Sequence, residues 1–248
     1  MPLTHITKGI SAEDLIREGS LAPSECPVFN ESLAYFFYGR PAYRVGGDGA
    51  IKLEALCPFY FIFRPELIER AKAIHERAKA IHAFDTGAFA NRMYSHIFGE
   101  EMKVEDFSLE LDTSHPNKII SAVFGSLESY FRGDVSKMVP PESGSEAWEF
   151  AARAYLHLLS SPGRNEPDDR ICSIEVTMGE PVPLLNNLRA VVVPHSLWGE
   201  KRAPWLNGLF EQGVEIVPYP FVPGRSADYY YAQLEAAVLK LYENWRHL

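Results

Sequence analysis

Aromatic and cationic side chains are concentrated in one stretch near the N-terminus, residues 32–44. Three tyrosines and two arginines follow a short apolar run there, and a glycine and a proline interrupt them. A phenol ring can stack on a flat ligand ring, and a guanidinium group can bind a phosphate or carboxylate through two N–H groups. The composition of this stretch therefore indicates a segment that binds a ligand with a ring and an anionic group.

Two further polar features lie on segments that we predict to be strands. Residues 3–7 form a short predicted strand with His5 and Thr7 on the same face. Residues 170–178 alternate between apolar and polar positions, which places Glu175 on the polar face. By itself, a strand histidine is more often a structural group, and a polar-face glutamate is more often solvated. The functional hypothesis therefore depends on the three features occurring together.

Several familiar catalytic motifs are absent from the sequence. It contains no G-x-x-x-x-G-K-[ST] phosphate loop, no G-x-G-x-x-G, no H-E-x-x-H and no G-x-S-x-G. The paired H-x-E and P-C-x-x-C motifs of zinc deaminases are also missing. The histidines are scattered, so we predict no metal site. Cys57 and Cys172 lie in apolar segments, where a thiol is usually inert.

The three features together resemble the ADP-ribosyltransferase superfamily, which has a histidine on the first strand, a tyrosine-rich second element and a glutamate on a late strand. Residues 37–44, Phe-Tyr-Gly-Arg-Pro-Ala-Tyr-Arg, are similar to the motif of DarT-type toxins, which modify DNA. The RNA 2′-phosphotransferases are a more distant parallel. The resemblance covers residues 1–63 and 165–193, which is under half of the chain.

This resemblance implies a reaction and two catalytic residues. Cleavage of the nicotinamide–ribose bond of NAD passes through an oxocarbenium-like transition state, which a nearby carboxylate stabilises. Glu175 would supply that carboxylate, hydrogen-bond the ribose hydroxyls and orient the acceptor. Arg40, which matches the arginine of the DarT-type motif, would contact the NAD phosphates or help to hold the acceptor.

The same resemblance implies a set of NAD-binding residues. His5 would hydrogen-bond one of the two NAD riboses, with Thr7 beside it on the strand. Tyr35 or Tyr38 would stack on the nicotinamide ring, and Tyr43 is a weaker candidate. NAD is thus the implied substrate, and no metal cofactor is implied.

The expected function is transfer of ADP-ribose from NAD to a macromolecular acceptor, nucleic acid or protein, by a toxin or anti-phage defence effector. Ser173 stands where transferases that modify protein arginines carry the first residue of a Gln-x-Glu or Glu-x-Glu pair, which disfavours that acceptor. The formal net charge of -9 disfavours DNA. Two alternatives are an NAD glycohydrolase, in which water is the acceptor, and a non-catalytic module that binds NAD, ADP-ribose or a protein partner.

The chain as a whole has the composition of a soluble globular protein. Its 248 residues are 46% hydrophobic and 23% charged, which is sufficient for a substantial core. Its three cysteines, without a C-x-x-C spacing, favour reduced thiols. The longest apolar run, residues 57–63, is too short to span a membrane, and the N-terminus lacks a signal-peptide pattern. We therefore expect a cytoplasmic protein that does not bind a membrane.

The elements that must position these residues follow an α+β pattern. Strands are predicted near both ends of the chain and helices between them, which favours one sheet domain, residues 1–248, with a helical insertion at about 64–165. The resemblance implies that the sheet is an ADP-ribosyltransferase-like split β-sheet. Further predicted elements are a helix from Ser11 to Gly19, strands at 57–63, 189–193 and 214–217, a helix at 205–212 and a C-terminal helix that begins near Ser226.

The insertion is predicted to be helical and to offer a surface for a protein partner. The sequence Glu-Arg-Ala-Lys-Ala-Ile-His occurs at 69–75 and again at 76–82, and we predict that it extends a helix beginning at Pro65. The apolar stripe of that helix would be Leu67, Ala71, Ile74, Ala78 and Ile81. Two more helices are predicted at 120–131 and 148–159, the latter with Trp148 on its apolar stripe.

Overall fold

The structure is a computed structural model that describes residues 1–26, 28–42, 49–68, 78–109, 114–161 and 170–248. Tyr43 and the first copy of the heptad lie outside these ranges. The described residues form one large mixed sheet together with several helices. The predicted α+β class is therefore confirmed.

Most of the strands belong to one central sheet. The strands are β1 (Leu3–Lys8), β2 (Ser20–Leu21), β3 (Ser24–Cys26), β4 (Glu31–Tyr38), β5 (Pro58–Phe63), β6 (Ala78–His82), β7 (Ser108–Leu109), β8 (Glu175–Met178), β9 (Val182–Pro183), β10 (Leu188–Pro194) and β11 (Glu215–Tyr219). Their spatial order is β11-β10-β5-β1-β4-β8-β6-β7, and β3 also pairs with β4. Neighbours are antiparallel except for β10 and β11, which are parallel. β2 and β9 form a separate small sheet.

The helices are distributed along the whole chain. They are α1 (Gly9–Glu18), α2 (Thr86–Ala90), α3 (Ser114–Ile119), α4 (Leu127–Phe131), α5 (Pro141–Gly144), α6 (Phe150–Ser160), α7 (Pro204–Glu211) and α8 (Ala227–Asn244), with a π-helical turn at Ile120–Phe124. Short 3-10 turns occupy Glu54–Leu56, Val104–Phe107, Arg170–Cys172 and His195–Leu197. No helix in the described part of the chain combines the length and the apolar character that crossing a lipid bilayer requires.

The strand β5 lies in the interior of the sheet, as its apolar sequence predicts. All six of its residues are buried, as expected for an apolar run without alternation. β1 pairs with one edge of β5, and β10 pairs with the other edge. The predicted strands at 3–7, 57–63, 189–193 and 214–217 are confirmed.

The sheet has two faces because side chains alternate along each strand. Cross-strand register places Phe36 and Phe61 on one face, which packs against α1 and much of the insertion; we call it the core face. The same register places Phe37, Ile62 and Glu175 on the opposite face, which we call the helix face because α8 covers part of it. The predicted site residues are therefore distributed between two faces.

The insertion is not helical throughout, which corrects the prediction for residues 64–165. Ala78–His82 is strand β6, which pairs with β8 and with β7. Ile81 pairs with Val176 in the buried core, so sheet pairing takes precedence over the helical preference of Ala and Lys in this segment. The helical extension by the heptad repeat is therefore wrong at 78–82, and residues 69–77 lie outside the described ranges.

Other predicted helix boundaries also change. The helix predicted at 120–131 is interrupted at Gly125, which has a left-handed φ of 76°, and α4 begins after it. Trp148 was predicted to face inward, but 71% of it is exposed, since α6 begins at Phe150. Helix α1 begins at Gly9 rather than at Ser11, because its first N–H bonds to the carbonyl of Cys57 at 2.9 Å.

The terminal elements agree with the sequence pattern. Helix α1 ends at Gly19, and α8 follows Ser226 as its N-cap residue. Four of the five residues predicted to face inward on α8 are buried: Tyr230, Leu234, Val238 and Leu241. The predicted strand at 170–178 is shorter than expected, since Arg170–Cys172 forms a 3-10 turn before β8.

Candidate active site

Glu175 begins β8 and lies on the helix face with its carboxylate fully buried. Thr86 Oγ1 donates a hydrogen bond to Glu175 Oε1 at 2.7 Å, and the Thr86 N–H donates to Oε2 at 3.3 Å. Burial and the nearby charge of Asp85 raise the pKa of Glu175 well above its ordinary value, against the hydrogen bonds from Thr86, which lower it. The sequence-based alternative of a solvated glutamate is wrong, since 1% of Glu175 is exposed.

Asp85 and Arg170 form a buried ion pair beside this carboxylate. Asp85 Oδ2 lies 3.3 Å from Arg170 Nη1, and both side chains are buried. Asp85 Oδ1 accepts a hydrogen bond from the Ala88 N–H at 2.8 Å, so Asp85 is also the N-cap of α2. The sequence interpretation of Arg170 as an ion-pairing residue is confirmed.

His82, at the end of β6, is a fourth ionisable group, beside Glu175, Asp85 and Arg170. Its Nδ1 lies 3.7 Å from Glu175 Oε1, and the Phe29 ring stacks on the imidazole with ring centroids 5.5 Å apart. Burial lowers the pKa of His82 from 6.5 to about 4. The imidazole is therefore neutral at physiological pH, so it adds no positive charge that would offset the Glu175 anion.

Tyr35 lies on β4, next to the strand that carries Glu175. Its hydroxyl donates to Cys26 Sγ, which also accepts from the Val28 N–H at 3.3 Å. Burial raises the pKa of Tyr35, and the charges of Cys26, Glu175 and Asp85 raise it further. Tyr35 thus lies within electrostatic range of Glu175 and on the same face of the sheet, because it pairs with Thr177.

His5 lies on the core face, opposite to the face that carries Glu175, at the point where β1 and β4 separate. Within these two fully described strands, the ladder joins Leu3–Thr4 to Phe37–Tyr38 and extends no further. Beyond it, His5 Nδ1 bonds to the Tyr35 carbonyl at 2.8 Å. A carbonyl can only accept, so Nδ1 carries the proton and Nε2 is left as an acceptor. Burial lowers the pKa of His5, which favours this neutral form.

Thr7 and Tyr38 lie on the core face, away from Glu175. The pairing of Thr7 with Phe59 places it on the same face as His5, as predicted. Tyr38 is buried, and its hydroxyl donates to Asn117 Oδ1 at 3.0 Å. The structure therefore places Tyr35, rather than Tyr38, on the face that carries Glu175.

Arg40 follows β4 and is buried with 2% of its surface exposed. Gly39, with a left-handed φ of 75°, turns the chain there. Burial raises the pKa of Tyr130, and the charge of the Arg40 guanidinium offsets part of this rise, so the guanidinium lies near that hydroxyl. Tyr130 accepts from the Ile174 N–H at 3.1 Å, and Ile174 directly precedes Glu175. Arg40 therefore lies near the start of β8.

Sequence reasoning missed three residues around Glu175: His82 and Thr86, which contact its carboxylate, and Asp85, whose charge acts on it. The signal was present in Asp85-Thr-Gly, since an aspartate followed by small residues is typical of a helix N-terminus. The predicted continuous helix over residues 65–82 obscured this signal, because a new helix start was not expected directly after it. The predicted site residue Tyr43 lies outside the described ranges.

The arrangement provides a buried carboxylate beside a neutral histidine, a tyrosine and an ion pair. No family model, curated protein or solved structure matches the chain. The described residues contain no group of three or more His, Cys, Asp and Glu side chains that could hold a metal ion. When ionised, a fixed carboxylate of this kind can stabilise a positive charge that develops next to it.

Proposed function

We propose that this protein is an NAD-dependent ADP-ribosyltransferase that transfers ADP-ribose to a nucleic acid or protein, as a toxin or anti-phage defence effector. The proposed fold is an ADP-ribosyltransferase-like split sheet, opened between β1 and β4. One observation carries the proposal: the adjacent strands β1, β4 and β8 bear His5, Tyr35 and Glu175 in that order, with His5 on the core face at the opening and Tyr35 and Glu175 on the helix face.

The opening between β1 and β4 is the proposed place for the nicotinamide riboside part of NAD. The His5 imidazole bridges the two strands there through its bond to the Tyr35 carbonyl. Its Nε2 is an acceptor suited to a ribose hydroxyl. Thr7, on the same strand face, lies next to His5 along the opening.

Glu175 is the proposed catalytic carboxylate. As the nicotinamide–ribose bond breaks, its negative charge would stabilise the oxocarbenium-like transition state. Tyr35 is the proposed stacking partner for the nicotinamide ring, and Arg40 the proposed cation for the NAD phosphates. Because 1% of Glu175 and 2% of Arg40 are exposed, the reaction requires neighbouring side chains, such as Phe29 on the His82 ring, to move when NAD binds.

Labelled NAD tests the proposal and separates it from the NAD glycohydrolase alternative. With NAD labelled in its adenine ring, a transferase leaves the label on protein or nucleic acid, whereas a glycohydrolase leaves free ADP-ribose. We expect label on a macromolecule from a lysate, and loss of that label in Glu175→Ala. Free ADP-ribose as the sole labelled product would establish the hydrolase. Thermal stabilisation by NAD without any turnover would indicate a non-catalytic binding module.

A second function, binding of a protein partner through the insertion, is favoured by a groove next to β7. The groove has a volume of about 460 Å³, and strand β7 is the last strand in the sheet order. Apolar side chains line it, among them Phe107, Leu109, Ile119, Val123, Tyr155 and Leu156. Trp148 and Phe150, close in sequence to groove residues Ala151 and Ala152, are exposed.

A charge placed in the groove tests this second function. Ala152→Glu puts a carboxylate on the groove wall, and Ala22→Glu puts the same group on an exposed loop as a matched control. We expect a partner protein to be cross-linked at the groove of the wild type and of the Ala22→Glu control. This cross-linked product should be absent with Ala152→Glu. Equal cross-linking in all three proteins would exclude the groove as the binding surface.

A further inference from the structure

We propose that Thr86 is the positioning residue for the Glu175 carboxylate and that the Asp85–Arg170 ion pair holds Thr86 in place. The proposal rests on the function proposed above. It also gives the insertion a role in catalysis, because Asp85 and Thr86 both belong to it.

Thr86 contacts both oxygens of the Glu175 side chain. Its hydroxyl donates to Oε1 at 2.7 Å, and its backbone N–H donates to Oε2 at 3.3 Å. A carboxylate that is bonded at both oxygens has a fixed plane and direction. Because Thr86 and Glu175 are both fully buried, water does not compete for these bonds.

Strand β8 alone cannot fix this carboxylate. The ladder with β4 and β6 holds the backbone of Glu175, which pairs with Phe37 and His82. This pairing does not select among the staggered rotamers of the Glu175 side chain, so another group must bind the carboxylate to set its direction. Thr86 supplies that group from α2, a helix outside the sheet.

The residue before Thr86 fixes its position in turn. Asp85 Oδ1 caps α2 through the Ala88 N–H at 2.8 Å, while Asp85 Oδ2 lies 3.3 Å from Arg170 Nη1. Arg170 opens the 3-10 turn that leads into β8. One aspartate therefore starts the helix that carries Thr86 and ties it to the segment that carries Glu175.

Two substitutions at Thr86 isolate the hydroxyl. Thr86→Val keeps the shape and the backbone N–H but removes the O–H donor, whereas Thr86→Ser keeps the donor. For nicotinamide release, we expect Thr86→Val to lower kcat by about 10- to 100-fold while KM for NAD changes by less than about threefold. Thr86→Ser should retain kcat within about threefold of wild type. A Thr86→Val enzyme with wild-type kcat would overturn the proposal.

A second readout does not depend on activity. The Thr86 hydrogen bonds lower the pKa of Glu175, so Thr86→Val should raise it and Thr86→Ser should not. Carbon-13 NMR of glutamate-labelled protein follows the Glu175 carboxyl directly. Identical Glu175 titrations in wild type and Thr86→Val would overturn the proposal. If Thr86→Val shifts the titration but wild type releases no nicotinamide, the proposed function fails while the anchoring by Thr86 stands.

Asp85→Asn tests the ion pair and provides a second variant if Thr86→Val does not fold. The amide oxygen can still cap α2, but the charge that pairs with Arg170 is lost. We expect kcat to fall by at least about fivefold with KM for NAD nearly unchanged. An unchanged kcat would show that the ion pair does not position Thr86.

Discussion

Glu175 is costly to ionise in the folded protein. Its carboxyl is buried, Asp85 lies nearby, and the neutral His82 contributes no compensating charge. The hydrogen bonds from Thr86 offset part of this cost, since they favour the anion. Groups whose pKa is shifted by burial and by a neighbouring charge are concentrated at functional sites, which supports Glu175 as a candidate.

The raised pKa of Glu175 predicts a pH-dependent effect of Glu175→Gln. A carboxyl whose pKa is higher in the folded than in the unfolded state stabilises the fold below the unfolded value of 4.5, and this stability is lost as pH rises through the folded pKa. Glutamine does not ionise, so the melting temperature of the variant minus that of wild type should increase from pH 4.5 upward. Thermal melts at several pH values check this, and a constant difference would contradict it.

The lowered pKa of His82 predicts the opposite dependence of the stability of the fold on pH. An imidazole whose pKa falls from 6.5 to about 4 on folding stabilises the fold above pH 6.5, and this stability is lost as pH falls through about 4. Protonation of His82 should cost roughly 3 kcal/mol in total at 1.4 kcal/mol per pKa unit. In His82→Gln, the free energy of unfolding measured in urea should therefore fall less at acidic pH than it does in the wild type. A variant as acid-sensitive as wild type would contradict the account.

At the scale of elements, α4 is joined to the site strands through Tyr130. The Tyr130 hydroxyl donates to the Tyr38 carbonyl at 2.7 Å and accepts from the Ile174 N–H at 3.1 Å. The Tyr38 carbonyl and the Ile174 N–H lie where the pairing of β4 with β8 ends. The phenol hydroxyl bridges these two groups in place of a direct hydrogen bond between them. Helix α4 therefore supports the backbone immediately before Glu175.

Tyr130→Phe should be strongly destabilising for its size. It leaves the buried Ile174 N–H without that acceptor, whereas the Tyr38 carbonyl keeps its bond from the Arg40 N–H at 2.9 Å. We expect the free energy of unfolding in urea to fall by about 1–3 kcal/mol. Tyr229→Phe, on the half-buried side of α8, is the matched control and should change stability by less than about 0.5 kcal/mol. Equal effects of the two substitutions would refute the role assigned to Tyr130.

The elements predictable from sequence were those with one strong pattern. Each of these local patterns is compatible with only one type of element. They are the apolar run of β5, the apolar stripe of α8 and the glycine at the end of α1. Strand β6 was missed because residues 78–82, Ala-Lys-Ala-Ile-His, fit a helix equally well locally. Its strand form is determined by pairing with β8, which lies almost a hundred residues later, and local periodicity carries no information on such contacts.

At the scale of the whole molecule, the candidate site joins the insertion to the segment that follows it. Strand β6 and α2, both within the insertion, bring His82, Asp85 and Thr86 close to Glu175, and Arg170, which follows the insertion, pairs with Asp85. From sequence, Glu175 could be selected only by its order relative to His5 and the tyrosine-rich strand. The residues around Glu175 could not be selected from sequence, because they are far from it along the chain and come close only through tertiary contacts.

Nicotinamide release from NAD is the measurement that tests the central claim most directly. Glu175→Gln removes the carboxylate charge, and Glu180→Gln, in the exposed turn after β8, is the matched control. We predict release by wild type and by Glu180→Gln, and a reduction of at least about 100-fold in Glu175→Gln with its circular dichroism unchanged. Equal release by Glu175→Gln and wild type would contradict the assignment of Glu175 as the catalytic carboxylate.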